Sequence, residues 1–191
     1  MLMIKKFIYS MVLCLPFLSM ANNNVFMRKG IEIVKPDGWH WMGYKSLQEA
    51  TEGQEGDRTR PIIVITKHEE PYDGLNASLT VKRSTGLLSK SPRIALSNLH
   101  SAIVKNYGKE AIIFTPKRIT IDGLEAFAYR YKFKFETGGK TYFAANETIV
   151  LKYAEDTYYI FESSAPVTKE NDYTDLDILY EKIAAVRFTD K

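Results

Sequence analysis

The chain has 191 residues with 26 Lys/Arg against 23 Asp/Glu, a formal charge of +3, and a single cysteine. That charge includes Lys5 and Lys6 at the very start, and no Lys/Arg block of the kind that tracks phosphates follows, so nucleic-acid binding is not expected. One cysteine excludes an intramolecular disulfide, and because it is Cys14, within the leader expected at residues 1–21, the chain after cleavage is expected to carry no thiolate either.

Lys5 and Lys6 precede an apolar run from Phe7 to Leu18, and Ser19-Met20-Ala21 places small residues where a signal peptidase reads them. Residues 1–21 are therefore expected to be a secretory signal peptide, because the run is about a dozen residues where a membrane span needs roughly 20. Cys14 lies inside the run after Leu13, not after the small residue that lipidation wants. Cleavage after Ala21 would leave about 170 residues without cysteine, enough for one domain stabilised by an ordinary core. The division expected is a leader over 1–21, a flexible tail over 22–29 and one domain over 30–191.

Gly30 to Lys35 alternates as a strand and stops at the turn Pro36-Asp37-Gly38, before Trp39-His40-Trp41. Thr51 to Arg60 contains no large apolar residue and is expected as an exposed loop. Pro61 to Lys67 and Leu79 to Arg83 have strand length, with Pro71-Tyr72-Asp73-Gly74 as a turn between them. Ser91-Pro92 supplies a hydroxyl N-cap and an N1 proline; Leu96, Leu99, Ile103 and Tyr107 then recur at helical spacing up to Gly108. Ile112 to Phe114 and Lys117 to Ile121 lead through Asp122-Gly123 into the most strongly patterned stretch.

In that stretch Phe127, Tyr129, Tyr131, Phe133 and Phe135 alternate with Ala128, Arg130, Lys132, Lys134 and Glu136. Thr137-Gly138-Gly139-Lys140 is a two-residue hairpin loop, and the returning strand runs to Tyr153. This register sets Phe133 opposite Ala144, Tyr131 opposite Asn146, Arg130 opposite Glu147 and Phe127 opposite Val150. A turn at Ala154 to Thr157 would bring Ile160 beside Leu151 and Phe161 beside Val150. Apolar residues then point to both faces at that end, so helices are expected on both. Tyr173 to Val186 supplies the second helix, with Leu176, Leu179 and Ile183 on one stripe.

Three segments, Gly30 to Trp39, Ile119 to Ala126 and Tyr158 to Ala165, resemble the PsbP-like superfamily, whose bacterial members include DcrB-type envelope proteins. The resemblance spans nearly the whole chain after the leader and implies an α+β fold, an α/β/α sandwich with a central antiparallel sheet covered by helices on both faces. It further implies a non-enzymatic assembly or adaptor role and a bacterial periplasmic location. Fold alone does not fix function.

Chemistry is sparse. His40, His68 and His100 show no paired metal-ligand spacing, and Gly-x-Ser-x-Gly, P-loop and dinucleotide patterns are missing from the sequence. No catalytic residue, cofactor or metal is expected. Glu147 is the one carboxylate set by pattern among apolar neighbours; an acid/base role competes with a cross-strand ion pair to Arg130, and the ion pair is favoured. The candidate partner-binding residues are Arg130, Lys132 and Lys134, a basic stripe, with Trp39 and Trp41, for which pinning the first turn is the competing role. The partner expected is another envelope protein, with membrane association open but no anchor. The alternative is a carrier holding a small amphipathic ligand on the aromatic face of Tyr129, Tyr131 and Phe133.

Overall fold

The computed structural model describes residues 24–28, 30–42, 59–85, 91–137, 140–168 and 171–189. The signal peptide expected at 1–21, most of the loop expected at 51–60 and the Gly138-Gly139 loop lie outside those residues. Strands β1 (Val25–Arg28), β2 (Ile31–Val34), β3 (His40–Trp41), β4 (Thr59–Thr66) and β5 (Ser78–Thr85) precede helix α1 (Pro92–Tyr107). After a 3-10 turn over Lys109–Ala111 come β6 (Ile112–Ile121), β7 (Leu124–Thr137), β8 (Lys140–Ala154) and β9 (Thr157–Pro166). Helix α2 (Thr174–Ala184) and β10 (Arg187–Phe188) close the chain.

Seven strands form one antiparallel sheet in the order β3-β4-β5-β9-β8-β7-β6. Successive strands pair from β6 to β9, so α1 carries the chain from β5 out to the β6 edge and the meander walks back to β5. Ser91 begins α1 by accepting the Arg93 N–H at 3.2 Å, and Gly108, at φ 85°, ends it with its N–H on the Val104 carbonyl. The β7–β8 register agrees with the pattern: Arg130 opposes Glu147, Tyr131 opposes Asn146 and Phe133 opposes Ala144. At β9 it differs by one residue, since Val150 opposes Ile160 and Ile149 opposes Phe161. The cause is an irregularity between Lys152 and Ala154, an extra β8 residue that a turn-based count does not include. Phe161 thereby joins the opposite face from the one expected.

The helix-covered α/β/α sandwich is the expectation that fails. The chain is mostly antiparallel sheet, in two sheets, with two helices among the described residues. The second sheet, ordered β1-β2-β10, sends Ile31, Ile33 and Phe188 into the same core as Leu176, Leu179 and Ile183 of α2. Geometry explains why: seven strands at about 4.8 Å spacing make a sheet about 29 Å wide, and one helix about 10 Å across cannot cover it. On the other face α1 covers only part of the width, packing Leu96 and Ile103 on Tyr129, Val150 and Tyr158. Of the flexible tail expected at 22–29, Val25–Arg28 is instead a strand that pairs with Ile31–Val34, and Phe26 packs on Trp41 with ring centroids 5.9 Å apart; residues 22, 23 and 29 lie outside the described residues. Thr59 and Arg60, expected in a loop, open β4, opposite Ser84 and Arg83.

Candidate functional site

The basic stripe does not act as one surface. Alternation puts Arg130, Lys132 and Lys134 on the side of β7 that also carries Ala126 and Ala128, the α2 side. Arg130 lies where α2 covers that side and is buried; Lys132 is half-buried and Lys134 exposed, beyond the helix. The Arg130 guanidinium donates from Nε to Glu147 at 2.5 Å and from Nη1 to Asp177 at 2.7 Å. Beneath it lies the Phe114 ring, 5.5 Å from Cζ, which Lys117 also caps at 4.1 Å. Asp177 stands in the first turn of α2, where a carboxylate also meets the helix's positive end, and Asp175 beside it binds Lys67 at 2.8 Å. Two ion pairs thus fasten the start of α2 to the sheet.

Burial pushes the Glu147 carboxyl above the ordinary range, with Arg130 pulling the other way; the side chain is 1% exposed and only one of its oxygens has a hydrogen-bond partner among the described residues. Burial would lower the Arg130 value, but Glu147 and Asp177 together hold it above normal. The result is a clamped ion pair in which the Glu147 carboxylate is buried against Arg130. Asp177 was missed by sequence reasoning, since it lies 47 residues from Arg130 and only the packing of α2 brings the two together.

On the opposite face β7 presents an aromatic row. Tyr129 stacks on Tyr131 at 5.5 Å, Tyr131 meets Phe133 at 6.0 Å, and Phe133 meets Tyr107 of α1 at 5.9 Å. Tyr129 lies fully buried beneath α1, and burial, with a lesser push from Tyr131, raises its hydroxyl to about 12. Tyr131 is raised by burial too, although its oxygen accepts from Asn146 at 3.1 Å. Only the far end of the row is open. There a groove of about 680 Å³ is lined by Tyr107, Phe133, Lys132, Lys134 and Phe143, among others.

The groove exists because the β7–β8 hairpin outruns its neighbours. β6 begins at Ile112 opposite Tyr131, and β9 ends at Pro166 opposite Ala144. The hairpin beyond Tyr131 and Ala144 is therefore a two-stranded arm. Phe143, opposite Lys134 on that arm, is 57% exposed. Trp39 and Trp41 take no part in the groove: Trp39 is buried in the α2-side core and Trp41 packs against it, next to Phe26. The three histidines are dispersed, His40 on β3, His68 stacked on Tyr72 and His100 against Tyr129. Among the described residues no cluster of three His, Cys, Asp or Glu side chains could hold a metal ion, and no helix is long and apolar enough to cross a membrane.

No family model and no curated protein matches the chain. Among solved structures it is similar to LpqN of Mycobacterium tuberculosis, described as involved in cell envelope biogenesis, at 16% identity over 83% of each chain with a TM-score of 0.49. A protein of Bacteroides thetaiotaomicron VPI-5482 is similar at 9% identity and TM-score 0.50, covering 89% of this chain and 50% of that one. The present chain thus spans half the length of the second neighbour. At such identities the likeness is one of fold alone, and neither neighbour bears the PsbP name.

Proposed function

We propose that the protein is a non-enzymatic module of the bacterial envelope that binds another envelope protein through the β7–β8 arm. The observation that carries this reading is the arm itself, which holds Phe143 exposed beside Lys132 and Lys134 and leaves the body of the sheet. An exposed large aromatic ringed by basic groups suits a protein contact, whose energy concentrates in a few such anchors. The envelope location rests on the leader pattern in the sequence. The absence of catalysis is supported by Glu147, the one candidate acid/base, being sealed against Arg130.

The test is a photo-crosslinking amino acid placed at Phe143 in cells, with Glu155 in the β8–β9 turn as control position. One specific protein adduct from 143 and none from 155 is the expected result; equal labelling from both would refute the reading. A carrier of a small amphipathic ligand is the second reading, favoured by one observation, a groove volume within the roughly 300–1,000 Å³ of small-molecule sites. It predicts that native mass spectrometry of the purified protein shows a bound small molecule that Phe133→Ala removes.

A further inference from the structure

The arm has a backbone edge as well as side chains. The Phe143 carbonyl accepts the Val167 N–H at 2.8 Å, so odd-numbered residues of β8 turn their backbone groups toward the β9 side and even-numbered ones toward β7. Opposite those even residues stand Tyr131, Phe133 and Phe135, so it is the even residues of β7 that turn their backbone groups outward. Up to Arg130 that outer side is taken by β6. Beyond it Lys134 and Glu136 have no strand beside them among the described residues, and Lys134, with Lys132, lines the groove, which runs from the end of α1 at Tyr107 round the arm to Val167 and Tyr173.

We propose that this edge receives a short, extended, acidic segment of the partner protein as an added strand. The inference rests on the protein-binding reading above and names the partner's chemistry. Unpaired strand edges take added strands readily, and the side chains beside the edge then choose among them. Lys132 and Lys134 stand on one side of β7 about 7 Å apart, the spacing of alternate strand residues, and match carboxylates at positions i and i+2 of the incoming strand. Glu110, which also lines the groove, does not cancel them, because its carboxylate folds back over Gly108. On the other side Phe133 and Tyr107 offer an apolar wall to the alternate residues. A second copy of this chain is an outcome the test must separate: pairing the edge with itself about Lys134 sets lysine opposite lysine, which repels, whereas pairing about Phe135 sets Lys134 opposite Glu136. A stable dimer of the peptide-free chain in sedimentation would overturn the inference.

The probes are capped octapeptides added to the full mature chain: one alternating Glu and Val, one alternating Lys and Val, and the Glu peptide N-methylated at alternate residues. The Glu peptide is expected to bind, the Lys peptide at least about tenfold more weakly, and the N-methylated peptide in the edge-facing frame not at all. Binding should slow hydrogen exchange at the Lys134 and Glu136 amides. Lys134→Pro, which removes an outward donor while leaving the β8 ladder intact, should abolish it without shifting the melting temperature, and K132E/K134E should reverse the preference. Equal binding of both charge types, indifference to N-methylation, or no binding overturns the inference. If the peptides fail while the Phe143 crosslink still captures one protein, strand addition is wrong and the protein-binding reading stands; if both fail, both are wrong.

Discussion

Arg130 should be the most sensitive polar residue in the domain, and the structure ranks its partners. Arg130→Gln leaves Glu147, 1% exposed, without its only hydrogen-bond donor among the described residues; breaking a buried pair in this way costs about 3–5 kcal/mol. Glu147→Gln should cost less, because Arg130 keeps Asp177. Asp177→Asn should cost about 0–1 kcal/mol, since the Asp177 side chain is 64% exposed and water screens the pair. The swap R130E/E147R should recover only part of the loss of Arg130→Glu alone, because the new glutamate faces Asp177. Urea unfolding followed by circular dichroism measures all five variants. The sign with pH follows from the raised carboxyl: the native state holds the Glu147 proton to higher pH than the unfolded chain, whose ordinary value is 4.5. Stability therefore falls as pH rises from 4.5 toward the raised native value and levels off above it. Arg130→Gln raises that native value further, so its deficit should shrink in acid and widen toward neutrality. An Asp177→Asn loss equal to that of Arg130→Gln, or no recovery in the swap, would refute the reasoning.

Gly123→Ala should destabilise by about 1 kcal/mol, because Asp122 and Gly123 both take positive φ (48° and 79°) in the β6–β7 turn; thermal melting reads it. Phe26→Ala should cost about 2–4 kcal/mol in chemical unfolding if β1 belongs to the core, whereas a frayed tail would show no change. Ser91→Ala removes the α1 cap and should cost about 1 kcal/mol by the same measurement.

The β7–β8 hairpin was legible in the sequence because period-two alternation and a two-residue glycine loop together leave one register, and one register determines every cross-strand pair, Arg130 with Glu147 included. Both helices were legible too, since Ser91-Pro92 and the Leu176, Leu179, Ile183 stripe are local signals. Tertiary structure decided the rest. The extra residue near Tyr153 shifts β9 by one, because a bulge answers to how the strands twist together and leaves no mark in composition. Val25–Arg28 and Arg187–Phe188 are too short to signal themselves; each is a strand only because β2 lies between them. Asp177 meets Arg130 only through the docking of α2. The groove depends on where β6 begins and β9 ends, a difference in length between neighbouring strands that alternation cannot express, since a pattern sets which face a residue takes but not how far its neighbours run.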